Sequence, residues 1–307
     1  MTYQTDGILF IDKDMGESSH EVVRKVKAGL KISKVGHAGT LDPFATGLLI
    51  ILLGRGTKLS PFIMSENKVY LATMRLGIET DTLDPTGRIV RKNAVPDLSP
   101  EYIRKKAEGF IGDIEQTPPA YSAVKYKGTR AYKLARRGQE VVLRKRTVSI
   151  FSLRIVSVDL PDVSLEVKCS SGTYIRSLAA DLGEALGPGG HLRSLRRLAC
   201  GSFEIQNALS SKEILTGNNS RLLRDNVIPL RAALPHMREI VVEHSIAEKV
   251  RHGYQPALED LDNGWALAGC DDTHFKIVSN SDLVAVIKVN KNRRDGHARL
   301  DIARVFS

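Results

Sequence analysis

Twelve consecutive residues, Gly36-His37-Ala38-Gly39-Thr40-Leu41-Asp42-Pro43-Phe44-Ala45-Thr46-Gly47, place one carboxylate in a loop punctuated by three glycines and a proline. The apolar run at residues 48–53 follows at once. Glycine lets the backbone turn tightly and lets a ligand approach it closely. Proline removes an N–H donor and fixes its own φ, so the residues around Asp42 resist joining a helix or a strand. A lone acid in a rigid loop at the edge of a buried strand suits a catalytic carboxylate. An isolated Asp-Pro is an ordinary turn signal. The whole block, together with three further motifs downstream, is what singles this one out.

The elements that must position the loop are legible on both sides of it. Residues 7–12 read as a short buried strand, closed by a turn at Asp14-Met15-Gly16. Ser18 and Ser19 sit where an N-cap belongs, with Glu21 nearby, and Val22, Val23, Val26 and Leu30 follow at helical spacing. Residues 48–53 and 69–76 read as strands ended by glycine, and Ser99-Pro100-Glu101 caps a helix running through Phe110. Residues 147–158 and 163–169 read as a hairpin of strands joined at Leu160-Pro161-Asp162. Ile175, Leu178, Ala179, Leu182 and Leu186 make a helical stripe, stopped by Gly187-Pro188-Gly189-Gly190. Residues 218–234 are a connector. Beyond it the runs 265–270, 275–279, 283–289 and 300–306 are short and β-rich. The expected architecture is α+β: a catalytic domain at 1–235 with a mixed, largely antiparallel sheet and flanking helices, then a small all-β domain at 236–307.

The chain has 307 residues, 42% of them apolar, enough for a core. Its formal charge is +10, from 45 basic and 35 acidic residues. Residues 236–307 hold 10 Lys and Arg against 11 Asp and Glu, so the first 235 residues carry 35 against 24, a net of +11. Between Tyr121 and Arg154 there are ten basic residues and one acid, Glu140. Such a concentration calls for a polyanionic partner. Cys169, Cys200 and Cys270 have no metal-ligand spacing and are odd in number, so buried free thiols in a reducing compartment are expected. The N-terminus lacks the pattern of a secretory signal, and the longest apolar run is six residues, far short of the ~20 of a membrane helix. A cytoplasmic protein without a membrane partner is expected.

Four segments occur in a telling order: the 36–47 block, Lys68-Val69-Tyr70, Gly172-Thr173-Tyr174-Ile175-Arg176, and His191-Leu192-Arg193-Ser194-Leu195-Arg196-Arg197-Leu198. Order and spacing closely resemble the TruB family of tRNA pseudouridine synthases, bacterial type. The stretch Gln116-Thr117-Pro118-Pro119-Ala120-Tyr121-Ser122-Ala123-Val124-Lys125 also matches, and the β-rich tail resembles a PUA RNA-binding domain. The resemblance spans essentially the whole chain. It implies the pseudouridine synthase fold and conversion of uridine 55 in the T arm of tRNA to pseudouridine, by a monomer. In that reaction the N1–C1′ bond breaks, the uracil rotates while held, and C5 bonds to C1′. There is no net redox change and no hydrolysis, which agrees with a sequence lacking a phosphate loop, a metal-ligand cluster or a flavin signature. No metal and no cofactor are expected.

The resemblance makes Asp42 the catalytic carboxylate, whether it adds to C1′ or assists another route. Tyr70 falls where the family stacks a tyrosine on the target base, with its hydroxyl near the C5 proton; without the family a half-buried packing role would be the simpler reading. Arg176 sits in the first turn of a helix, where the macrodipole disfavours a cation. A buried carboxylate would compensate, so Arg176 is assigned as the ion-pair partner of Asp42. Tyr174 would line the same pocket, and Leu195, otherwise a core residue, would cover the far face of the base. A uridine in a folded arm must be flipped out of its stack, and the family places His37 in the vacated space.

The basic segment reads as an RNA clamp, an insertion at about 121–150 in which Arg144, Lys145 and Arg146 grip phosphates. Arg193, Arg196 and Arg197 would extend that surface. The tail would meet the acceptor end of tRNA, through a local basic edge of Lys288, Lys291, Arg293, Arg294 and Arg299. One departure from the family is Asp14, where a proline normally follows Lys13. The acids Glu79, Asp81 and Asp84 fit no calcium loop and read as a polar turn ending at Gly87. The rival functions are a tRNA-folding chaperone without catalysis and a guide-RNA-dependent synthase. Asp42, Tyr70 and Arg176 together argue against the first, and the basic insertion argues against the second.

Overall fold

The computed structural model describes residues 5–215, 220–261, 274–291 and 298–307. The first strand, β1 (Gly7–Lys13), leads into α1 (Ser19–Leu30), which Ser18 starts with a full capping box: its side chain accepts from the Glu21 N–H while Glu21 accepts from the Ser18 N–H. Then come β2 (Val35–Ala38), β3 (Thr46–Leu53), α2 (Ser60–Met64) and β4 (Lys68–Leu76). A small hairpin, β5 (Ile78–Thr80) with β6 (Ile89–Lys92), precedes α3 (Pro100–Glu108) and β7 (Gly112–Gln116). The basic insertion folds into a second hairpin, β8 (Lys125–Tyr126) with β9 (Thr129–Arg130), and the short α4 (Ala131–Ala135). The long pair β10 (Arg146–Asp159) and β11 (Asp162–Cys169) returns the chain to α5 (Ile175–Leu186) and β12 (Gly190–Cys200). Two short strands follow, β13 (Phe203–Glu204) and β14 (Leu209–Ser210), and then α6 (Ser220–Asp225).

These strands make one ten-stranded sheet in the order β14-β1-β3-β12-β4-β11-β10-β7, with β2 added to β3 and β13 to β12. All its pairs are antiparallel except β1 with β14 and β3 with β12. One face packs against α1, α3 and α5 through Val22, Val26, Ile103, Leu178 and Leu182. The unbroken apolar run of β3 has a simple cause. Leu49, Ile51 and Leu53 face those helices, while Leu48, Ile50 and Leu52 join a separate core on the opposite face. A strand buried on both sides reads as continuous rather than alternating.

That opposite core is completed by the small C-terminal unit, whose four-stranded sheet runs β15 (Arg238–Val241), β16 (His274–Ser279), β17 (Asp282–Lys291) and β18 (Ala298–Val305). Val278, Leu283, Val286 and Phe306 from this unit pack with Ile8, Phe10 and the even-numbered residues of β3. The unit also carries a helix that the sequence reading did not include, α7 (His244–Arg251), whose Ala247 and Val250 enter the unit's own core. The run at 265–270, Cys270, Arg293 and Arg294 lie outside the described residues. No helix among the described residues is long and apolar enough to cross a membrane.

Candidate active site

The Asp42 loop joins β2 to β3 and is fixed by its neighbours, not by the acid itself. Leu41, Phe44 and Ala45 are buried in the helix-side core. Ser19, at the start of α1, accepts from the Leu41 N–H at 2.9 Å and donates to the Leu41 carbonyl at 3.0 Å. The Gly16 N–H donates to the Pro43 carbonyl at 2.8 Å. Lys13, fully buried, donates its ammonium to the carbonyls of Asp14, Glu17 and Pro43. Burial pulls its pKa down to about 8, against the raising influence of Glu17, Asp42 and Asp14. At the position where the sequence resemblance led to the expectation of a proline, the Asp14 N–H donates to Ser211 Oγ, and Ser211 donates back to the Asp14 carboxylate. The turn is thereby closed without the proline.

Arg176 lies at the second position of α5, behind Tyr174, which supplies no side-chain cap. Its side chain is 5% exposed and every nitrogen is used. Nε meets Asp42 Oδ2 at 3.1 Å, Nη1 meets Asp84 Oδ2 at 3.1 Å and donates to the Thr82 carbonyl, and Nη2 donates to the Tyr121 carbonyl at 2.9 Å. The expected pairing of Arg176 with Asp42 is therefore present, and a second carboxylate stands beside it. Asp84 does lie in a turn, as expected, but it is buried and faces inward. Its Oδ1 accepts from Thr82 Oγ1, the Thr86 N–H and Thr86 Oγ1. One guanidinium thus faces two carboxylates. Burial raises the Asp42 pKa, Arg176 and Lys13 lower it, and Asp84 raises it further.

Across the sheet, Tyr70 of β4 is directly opposite Arg197 of β12, and Ala72 is opposite Leu195. Residues two apart on a strand share a face, so Tyr70, Leu195 and Arg197 stand together. Burial pushes the Tyr70 phenol up while Arg197 beside it pulls it down. His37, on β2, is half-buried, and its Nδ1 has no partner among the described residues. Burial, then Arg197 and His20, lower its pKa and so disfavour the charged imidazolium. Tyr174 is held by Gln116, whose Oε1 accepts from the Tyr174 N–H at 2.7 Å and whose amide donates to its carbonyl at 3.0 Å.

The clamp residues divide. Arg144 is exposed. Lys145, also exposed, lies 3.8 Å from Glu115. Arg146 is committed inward: it lies 4.6 Å over the Tyr174 ring and donates to the Gly172 carbonyl. The arginines of β12 do not extend one basic surface, as the sequence reading expected. Arg193 pairs with Asp162, Arg196 pairs with Asp12 at 2.6 Å, and Arg197 points into the interior. Adjacent residues on a strand face opposite ways, which is why Arg196 and Arg197 part company. Asp84, Lys13 and Gln116 were missed as site residues. Gln116, which opens one of the family-like segments, and Lys13, which stands where the family pattern has its lysine before the proline, each had a signal there; Asp84 was noticed only as part of a polar turn.

A half-buried carboxylate on a glycine-rich loop, held by a buried arginine from the first turn of a helix, is the arrangement the resemblance to pseudouridine synthases implies, and the comparisons with known proteins agree. The N-terminal domain of TruB family pseudouridylate synthase matches residues 27–175, and the C-terminal domain of tRNA pseudouridylate synthase B matches 176–235. A relative from Geobacter sulfurreducens, named tRNA pseudouridine synthase B, is 41% identical over 281 residues, 92% of each chain. Another of that name from Syntrophus aciditrophicus is 42% identical over 285 residues, covering 92% of this chain and 91% of its own. The chain belongs to the TruB family. Among solved structures, a chain of a Cbf5-Nop10-Gar1 complex is similar with a TM-score of 0.75 at 26% identity, covering 98% of this chain and 85% of that one.

Proposed function

We propose that the protein converts uridine 55 in the T arm of tRNA to pseudouridine, acting alone, as a cytoplasmic monomer, with the catalytic unit at 1–235 and an RNA-binding unit of the PUA kind at 236–307. The observation that carries this reading is the Asp42–Arg176 pair at 3.1 Å. When the N1–C1′ bond breaks, positive charge develops at C1′. An ionised Asp42 meets that charge, by covalent capture or as counter-ion, and Arg176 keeps the carboxylate ionised and aimed. Tyr70 stacks on the uracil and its hydroxyl attends the C5 proton, while Leu195 and Tyr174 close the pocket against water. His37, with its charged form disfavoured and one ring nitrogen unpartnered, fits the gap left by the flipped base.

The deciding experiment incubates the purified protein alone with an unmodified tRNA transcript and maps pseudouridine. Modification at the T-arm uridine without added RNA or protein is expected. Binding without modification would mean a chaperone, and modification only with an added guide RNA would mean a guided enzyme. The relatives named tRNA pseudouridine synthase B, at over 40% identity, favour direct action on tRNA over the guided reading.

The environment of Asp42 makes a signed prediction. Asp84→Asn keeps an acceptor for Arg176 but removes a negative charge that raises the Asp42 pKa. Asp42 must be ionised to act, so the acid limb of the pH–rate profile should move to lower pH in this variant. The rate on its plateau should fall about tenfold, because a charged anchor of Arg176 is lost. An acid limb that stays in place or moves up would refute the contact.

The clamp is tested by its salt dependence. Arg144→Ala and Lys145→Ala should each weaken tRNA affinity and reduce the slope of log K against log salt by about 0.7–0.9. Arg146→Ala should also slow the chemical step, since Arg146 supports the Tyr174 turn. Unchanged affinity and slope in all three would exclude the clamp. The basic edge of the tail serves affinity for the acceptor end, and contacts so remote should alter KM more than kcat.

A further inference from the structure

Arg197 is a buried charge for which the reaction as described has no use. It is 2% exposed, and among the described residues no carboxylate lies within ion-pair distance of it. Its neighbours are instead cationic or neutral: Lys13, His37, Lys68 and the Tyr70 phenol. A guanidinium taken out of water is costly unless its surroundings offset the lost hydration, and packing alone could be met by an apolar side chain.

What repays it is the Asp42 loop. Nε donates to the Leu48 carbonyl at 2.6 Å and Nη2 to the Gly39 carbonyl at 3.1 Å, so one planar group ties together the two ends of the loop. The Arg197 backbone closes the same junction, pairing with Gly47 on one side and Tyr70 on the other. Gly47 has φ +104°, and a Cβ there would lie 2.3 Å from the Arg197 carbonyl oxygen, so the approach requires glycine.

We propose that Arg197 is a positioning residue of the isomerisation, fixing the Asp42 loop at both ends and setting it against Tyr70 across the β12–β4 pair. The inference rests on the reading that Asp42 and Tyr70 carry the reaction. Arg197 touches no substrate. It acts through two groups that do, and its geometry couples them.

The test uses the full-length protein with Arg197→Met and Arg197→Lys, following the single-turnover rate at saturating tRNA, the tRNA dissociation constant and the melting temperature. Methionine fills the volume without the charge, so the fold should survive, as replacements of buried charges by apolar groups often do. The single-turnover rate should fall about 100-fold, the scale expected when a reacting group is misplaced by about an ångström, with affinity within about threefold. Lysine reaches one carbonyl and should restore part of the rate. In a Tyr70→Phe background the Arg197→Met loss should shrink well below its size in wild type, because the two residues act as a unit. A folded Met variant with a near-normal rate, or losses that simply multiply in the double variant, would overturn the proposal. Should the Met variant fail to fold, the same rate, affinity and cycle on Arg197→Lys decide it. Wild-type activity on the transcript is measured first, so failure of the functional reading is distinguishable from failure of this one.

Discussion

Replacing Asp42 by asparagine should abolish pseudouridine formation, a loss on the order of 10⁴-fold or more, as for other residues that act directly on the reacting bond. Binding of tRNA should stay within about threefold of wild type, since contacts to the phosphate backbone supply most of the affinity. The structure says why this change is clean. The loop is held by Ser19, Gly16 and Lys13 through backbone atoms, none of which the substitution touches. Arg176 also keeps Asp84 and the carbonyls of Thr82 and Tyr121, so the guanidinium stays in place. What disappears is the negative charge that meets C1′. Turnover within about tenfold of wild type would sink the assignment of Asp42.

The complementary change, Arg176→Lys, should cost about 100-fold through misplacement of Asp42. An ammonium has charge enough, but it cannot span two carboxylates and two carbonyls from one planar fork. A near-normal lysine variant would reduce Arg176 to a generic positive charge.

The parts of this site that could be read from the sequence are those made by local rules. The glycines and proline around Asp42 mark a loop wherever they occur, and Ser18 with Glu21 marks a helix start. Arg176 was found because a cation in the first turn of a helix needs an external reason. Asp84 could not be found that way. An acid in a turn looks the same whether it faces water or faces an arginine 92 residues further on, and only the fold decides. Arg196 and Arg197 were legible in principle. A strand over residues 190–200 puts them on opposite faces, but a family-like motif carries no strand signal of its own, so the alternation is not evident from it. Helix α7 hid for another reason: its apolar stripe of Ile246, Ala247 and Val250 is short and lies among β-rich runs.

Deleting residues 236–307 should destabilise the whole protein rather than merely weaken its grip on tRNA. A tail joined by a linker would, when removed, raise KM for full-length tRNA, leave kcat alone and spare a minimal T-arm stem-loop. The shared core argues otherwise. Val278, Leu283, Val286 and Phe306 are at most 1% exposed, packed on the face of β1 and β3 that holds Ile8, Phe10, Leu48, Ile50 and Leu52. Burying one such side chain contributes about 1.5–3 kcal/mol, so losing four removes about 6–12 kcal/mol, comparable to the ~5–15 kcal/mol that holds a domain folded. Polar ties go as well: Arg55 donates to the Phe306 carbonyl at 3.1 Å, Lys58 to the Val305 carbonyl at 3.0 Å, and buried Lys276 to the Arg231 carbonyl at 2.9 Å. The strand laid bare, β3, is also the one from which the Asp42 loop hangs. The truncated protein should therefore lose activity on stem-loop and full-length tRNA alike, with a lower melting temperature or outright aggregation. Phe306→Ala gives the graded version, about 3–5 kcal/mol of lost stability, with modification of both substrates recovering on cooling below its midpoint. If residues 1–235 instead melted cooperatively near the full-length temperature and modified the stem-loop normally, the shared core would be dispensable. The C-terminal unit would then serve RNA alone.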